Sequence, residues 1–163
     1  MDLSPLAHSA LAVQLHAGAA LLATILGTVV MLMKKGTSVH KAMGRVWLGL
    51  MAVVALSSFG ITEIRMFGPY SLLHGLSIFT LFSLAGGFWA ARTGNLIAHR
   101  STMISLYVFA LLLTGGFTLL PGRRMHAVIF ADGGVTAGLV ALAVLAGVGM
   151  AVVIQRRRGV RLI

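Results

Sequence analysis

Four of the six histidines stand in two matching pairs. His16 and His74 are 58 positions apart, as are Lys34 and Arg92, Gly36 and Gly94, and Thr37 and Asn95; one inserted residue later, His40-Lys41 is answered by His99-Arg100. Imidazole ligates metals, takes axial positions on haem iron and carries protons near neutral pH. Each unit runs histidine, long apolar stretch, basic residue, Gly with a helix-capping residue, and a second histidine opening another apolar stretch. That is the pattern of duplicated structure, so chemistry is expected where the two copies meet.

The elements that must position these histidines follow from composition. Hydrophobic residues make up 58% of the chain and charged residues 10%, and the mean hydropathy is +0.98, against roughly a quarter charged in soluble domains. This is the composition of an integral membrane protein. With no cysteine, disulfides, thiolate metal sites, iron–sulfur clusters and covalent haem attachment are excluded, so any cofactor must be held by His, Met or oxygen ligands. The net charge of +10 does not indicate nucleic acid, because the basic residues sit at the ends of apolar stretches and not in one soluble patch.

A membrane-spanning helix needs about 20 apolar residues, and five stretches qualify: 8–33, 41–63, 70–92, 99–119 and 134–155. The expected fold is an all-α, polytopic membrane helix bundle forming a single transmembrane domain over 1–163. Its four-helix core comes from the duplicated two-helix repeat (8–63 and 70–119), with a fifth transmembrane helix appended. The first stretch has no basic n-region and carries His16, which marks a retained span and not a signal peptide. Ser4-Pro5 and Gly68-Pro69 suit helix starts, Thr37 and Asn95 suit N-caps, and Pro121-Gly122 suits a helix stop. Lys34, Lys35, Lys41, Arg45, Arg92, Arg100, Arg156, Arg157, Arg158 and Arg161 fall on one side, Arg65, Arg123 and Arg124 on the other. The positive-inside rule then puts the N-terminus outside and the C-terminus in the cytoplasm of a bacterial inner membrane.

In an up-and-down bundle, spans one and three are diagonal, as are two and four. His16 and His74 then face each other at the outer end, His40 and His99 at the cytoplasmic end. Neighbouring helices about 10 Å apart leave a diagonal of about 14 Å, room for two axial imidazoles around a haem iron. Eighteen residues from His74 to Arg92 rise about 27 Å, so two sites would be stacked across the bilayer. The expected function is therefore haem b binding, at one or two bis-His sites, with electron transfer across or within the membrane. Arg45, Arg100 and Arg123 are candidates for the propionates, since a guanidinium fork matches a carboxylate. Ala20, Ala23, Gly27, Gly75, Ala85, Gly86 and Gly87 would admit a flat ring or a closely packed helix.

Other readings use the same residues. The histidines suit a Zn, Cu or Ni site, or a proton relay in a small transporter. Without any cofactor, His40 and His99 are interfacial residues beside Lys41 and Arg100, and His16 and His74 make interhelical hydrogen bonds. A third class is a structural or assembly subunit, in which Ala143, Gly147 and Ala151 form a docking or homodimer face. His8 and His126 have no repeat partner and are expected at the surface. Met43, Met51, Met103 and Met125 are filler or, as a minor alternative, soft ligands. Glu63 with Arg65, and Asp132 with Arg123 or Arg124, read as local ion pairs; Glu63 is alternatively part of a proton entry or of an outer metal site with His74. No nucleophile–base pair, Walker loop or HExxH motif is present.

Lys35-Gly36-Thr37 with His40, Gly44-Arg45-Val46-Trp47, Ser57-Ser58-Phe59, Leu73-His74, Ala91-Arg92-Thr93-Gly94-Asn95 with His99-Arg100, and Phe117-Thr118-Leu119-Leu120-Pro121-Gly122-Arg123 resemble the predicted bacterial membrane proteins grouped as domain of unknown function 2306. The resemblance covers roughly 12–130, and all four repeated histidines fall on the family's histidine positions. It implies a polytopic inner-membrane protein and carries no activity. Tyr70-Ser71-Leu72-Leu73 departs from the Ser-Pro-Ile type of lead expected before His74. In arrangement alone, paired histidines on alternate helices also resemble di-haem transmembrane ferrireductases that use ascorbate or quinol. The electron partner here would accordingly be a quinol, a ferric complex or a redox protein, with the lipid bilayer as the surroundings.

Overall fold

A computed structural model describes residues 3–61 and 71–130, with the single positions 134, 138, 142 and 149. Apart from those positions, the expected fifth span lies outside the described residues, as do Glu63, Arg65, Asp132 and the basic tail. Among the described residues all regular structure is helical. A short helix, α1 (Ser4–Ala7), has a proline in its first turn and precedes α2 (Leu11–Leu32), α3 (Ser38–Ser57) with a 3-10 turn at Ser58–Gly60, α4 (Leu72–Arg92), α5 (Leu96–Phe117) and the short α6 (Arg124–Phe130). Leu11–Leu32, Ser38–Gly60, Leu72–Arg92 and Leu96–Phe117 are each long and apolar enough to cross a membrane.

Two of these helices begin three residues earlier than hydropathy places them, at 38 and 96 instead of 41 and 99. The reason is capping. The Thr37 hydroxyl accepts from the His40 amide at 3.1 Å, and Asn95 Oδ1 accepts from the Ala98 amide at 3.0 Å. Each cap satisfies an orphan amide of the first turn and lets the helix start before its apolar face does. The preceding glycines, Gly36 and Gly94, have φ of +80° and +82°, a conformation that costs an L residue with a side chain. The sequence repeat is thus expressed in two turns built alike.

The four long helices pack in the order α2–α3–α4–α5, and α5 closes back on α2. This leaves α2 opposite α4 and α3 opposite α5, the square arrangement on which the diagonal pairing depends. The mid-bundle interior is filled, not open. Trp47 and Met51 of α3 and Tyr107 of α5 are fully buried, with Ala23, Leu84, Met103, Leu106 and Leu111 around them. Trp47 Nε1–H donates to the Ala23 carbonyl at 3.0 Å, and the Tyr107 and Thr28 hydroxyls are 2.7 Å apart.

Tyr107 lies in a π-helical stretch, Leu106–Leu113, inside α5; such stretches insert a residue into the helical ladder and re-aim side chains. Gly27 is where Trp47 and Tyr107 enter α2: a Cβ there would stand 2.5 Å from Trp47 Nε1 and 2.7 Å from a Tyr107 ring carbon. The glycines and alanines expected to admit a flat ring or a helix therefore admit, at Gly27, two aromatic side chains, and at Gly87 the side chains of Met103 and Thr102. Large apolar residues such as Ile25, Phe79, Phe82, Trp89 and Phe109 point outward, as suits helices whose solvent is lipid.

Candidate functional site

At one end of the bundle, His16 and His74 are held in different ways. His16 stands in the second turn of α2, and its Nδ1 lies 2.9 Å from the Val54 carbonyl and 3.3 Å from the Ser57 hydroxyl, both on α3. A carbonyl only accepts, so Nδ1 carries the hydrogen and Nε2 is the basic nitrogen. His74 is the third residue of α4, where its Nδ1 accepts from the Ser71 amide at 3.1 Å while Ser71 caps the same turn. A neutral ring that accepts at Nδ1 carries its hydrogen on Nε2. The two repeat-related histidines are thus opposite tautomers: His16 offers a lone pair at Nε2, and His74 offers a donor. An iron or zinc bond through His74 Nε2 would require the helix cap to be given up.

Hydroxyls surround this end. Ser58 donates to the Ser77 hydroxyl at 2.6 Å, Ser77 to the Leu73 carbonyl at 3.0 Å, and the Phe59 ring lies 5.8 Å from that of His74. Ser71, His74, Ser77 and Thr80 are all buried and follow one another at three-residue steps from the cap of α4 into its third turn. Their three-residue spacing is readable in the sequence, yet serines and threonines within an apolar stretch carry no chemical signal of their own. Sequence reasoning therefore named His74 without its polar row.

At the other end, His40 is the third residue of α3 and His99 the fourth of α5, on diagonally opposed helices. His99 Nδ1–H donates to the Gly87 carbonyl of α4 at 2.8 Å, which leaves Nε2 with the lone pair. His40 Nδ1 is buried and has no hydrogen-bond partner among the described residues. His40 is within electrostatic reach of both Lys35 and His99. His99 has the usual dress of a ligating imidazole, with one nitrogen bonded to a carbonyl and the other carrying the lone pair. Among the described residues, no three His, Asp or Glu gather in one place.

The three candidate arginines divide between the ends. Arg45 is exposed one turn beyond His40, its Nε donating to the Lys41 carbonyl at 3.0 Å, and Arg100 follows His99. Arg123 is at the His16/His74 end, its guanidinium 4.6 Å from the Phe117 ring centre. Met51 and Met103 are buried among other apolar side chains as filler, and His8 is exposed, bonded to the Ser4 carbonyl at 2.9 Å.

A family model described as "Predicted membrane protein (DUF2306)" matches residues 13–154. No curated protein and no solved structure matches the chain.

Proposed function

We propose, from the premise that this chain belongs to the DUF2306 family of predicted membrane proteins, that it binds haem b between His40 and His99 and moves electrons across or within the bilayer. The observation that carries this reading is the buried, unbonded Nδ1 of His40 beside His99, whose own Nδ1–H is tied to Gly87. The donor set fits the group. Porphyrin brings four nitrogens of its own, so two imidazoles complete the iron, whereas a closed zinc site takes about four protein ligands. When bound, haem supplies a one-electron couple. The chain's own part is to hold His99 in one tautomer, to exclude water by packing Met103 against Gly87, and to offer Arg45 and Arg100 to the propionates. His16 and His74 are the weaker pair for a second haem, because the cap on His74 competes.

The basic residues Lys34, Lys35, Lys41, Arg45, Arg92 and Arg100 lie in or beside the turns at the His40/His99 end. On that basis we assign this end to the cytoplasm of a bacterial inner membrane, with the N-terminus outside.

A second reading, a metal- or proton-linked transporter, is favoured by a different observation: the buried hydroxyls of Ser71, Ser77 and Thr80 along the helix that carries His74, with Ser58 bonded to Ser77, which suit a proton relay. The structural-subunit reading rests on Ala143, Gly147 and Ala151, outside the described residues. Absorption spectra of the detergent-purified protein, oxidised and dithionite-reduced, with pyridine haemochrome and elemental analysis, separate the three. A sharp reduced α-band with one iron per chain is expected. A colourless protein from haem-replete cells overturns the haem reading; bound zinc, copper or nickel then favours the transporter, and no metal the subunit.

A further inference from the structure

Among the described residues, the His40/His99 end gathers positive charge without an anion to answer it. The chain's three acids are Asp2, Glu63 and Asp132, and none falls in the two turns, or in the helix ends beside them, that carry Lys34, Lys35, Lys41, Arg92 and Arg100. The fold brings two of these cations, Lys35 of the first turn and Arg100 of α5, within electrostatic reach of each other. Lys35 is folded back onto the end of α2, its ammonium donating to the carbonyls of Val30 at 3.0 Å and Met33 at 3.1 Å, and also to Met31. Burial of that ammonium, and secondly the nearby Arg100 guanidinium, push the Lys35 amine below its ordinary range. Arg100 itself is exposed and makes no hydrogen bond or ion pair among the described residues.

The surroundings of Arg100 narrow the chemistry of the missing anion. Leu96 and Ile97 precede it by four and three residues, so all three share one face of α5; the two apolar side chains are 66% and 86% exposed. Val39, in the first turn of α3, is also exposed. Fixed cations bordered by outward apolar side chains, at the ends of membrane-spanning helices, match an amphiphile whose phosphate lies at the interface and whose chains run down the helix. A small soluble anion would have no use for that apolar border.

We propose that the turns at 33–37 and 93–95 form a headgroup site for an anionic phospholipid, with Arg100 bonding its phosphate and Lys35 standing beside it as a fixed charge. Lys35 gives its protons to α2 and contributes charge alone; Arg100 contributes the guanidinium fork. The site shares Arg100 with the propionate assignment above but uses neither imidazole, so the histidine variants tell the two apart.

The test is native mass spectrometry of the full chain in detergent with equal amounts of phosphatidylglycerol and phosphatidylcholine. Preferential retention of phosphatidylglycerol is expected, reduced about fivefold in Arg100→Gln, in line with roughly 1 kcal/mol per cation at a membrane surface. Arg100→Lys should restore part of it, and Arg123→Gln, at the opposite end, should leave it unchanged. His40→Ala and His99→Ala should retain the lipid while losing any pigment, which keeps the two proposals distinguishable. Equal retention of both lipids, or equal losses in Arg100→Gln and Arg123→Gln, overturns the site. Displacement of the lipid by millimolar glycerol 3-phosphate assigns it to a free phosphate and overturns the lipid assignment.

Discussion

The two ends of the bundle carry equivalent histidines and use them differently. His16 and His74 occupy the same place in the repeat, yet one reaches across to α3 and the other closes the first turn of its own helix. The difference lies in where the helices begin. α2 starts five residues before His16, whereas α4 starts two residues before His74, which puts His74 where a side chain bonds back to the N-cap amide. At the other end the single inserted residue has a comparable effect. It moves His99 one position further along its helix than His40, a rotation of about 100°. His99 then meets the Gly87 carbonyl, while His40 turns its Nδ1 into buried space. Like spacing places like residues in the sequence, whereas tautomer and partner depend on the helix start.

The sharpest break of this comparison is spectroscopic. His40→Ala or His99→Ala should abolish a low-spin haem α-band, whereas His16→Ala and His74→Ala should leave it; the reverse pattern would transfer the site to the other end.

Next in size is a packing contrast within α2. Gly27→Ala forces a Cβ against Trp47 and Tyr107 and should cost about 1–3 kcal/mol, seen as a lower melting temperature in detergent. Gly18→Ala, with nothing within 4 Å of the new Cβ, should be neutral or stabilising by about 0.5–1 kcal/mol. Equal effects would mean that the two aromatics do not meet α2 at Gly27.

A smaller effect separates His74 from its repeat partner. His74→Ala removes a helix cap and should cost about 1 kcal/mol, with His74→Gln recovering most of it because a glutamine at this position also reaches the N-cap amide. His16→Gln, with no cap to restore, should show no such recovery.

The smallest expected effect is on pH dependence. Lys35 binds its proton less tightly in the folded chain than its ordinary value of 10.5 implies. Between those two values the unfolded chain holds more protons, so stability rises with pH there and is lower below the folded value. Lys35→Gln should flatten that alkaline rise in melting temperature; an unchanged slope would mean that neither burial nor the Arg100 charge lowers the Lys35 amine.

Much of this was legible in the residues themselves. Apolar runs of about 20 residues located the four described spans to within three residues, because a helix must cover the hydrocarbon core whatever it packs against. Thr37, Asn95, Gly36 and Gly94 announced the two turns, since capping and left-handed backbone are local demands. The starts of α3 and α5 were misplaced because hydropathy follows apolar side chains, while the helix follows its caps. Tyr107 and Thr28, 79 residues apart, could not be paired from the sequence, and the π-helical stretch that aims Tyr107 has no composition of its own.

The sequence by itself determined that this is an all-helical membrane protein, where its turns fall, and that its histidines come in two pairs. Only the tertiary structure decided which nitrogen each ring leaves free, that Trp47 and Tyr107 fill the middle of the bundle, and that Lys35 stands beside Arg100. The division has a physical cause. Hydropathy, capping and glycine conformation act within a few residues along the chain, whereas a tautomer or a charge pair depends on whatever group an adjacent helix carries to the same level.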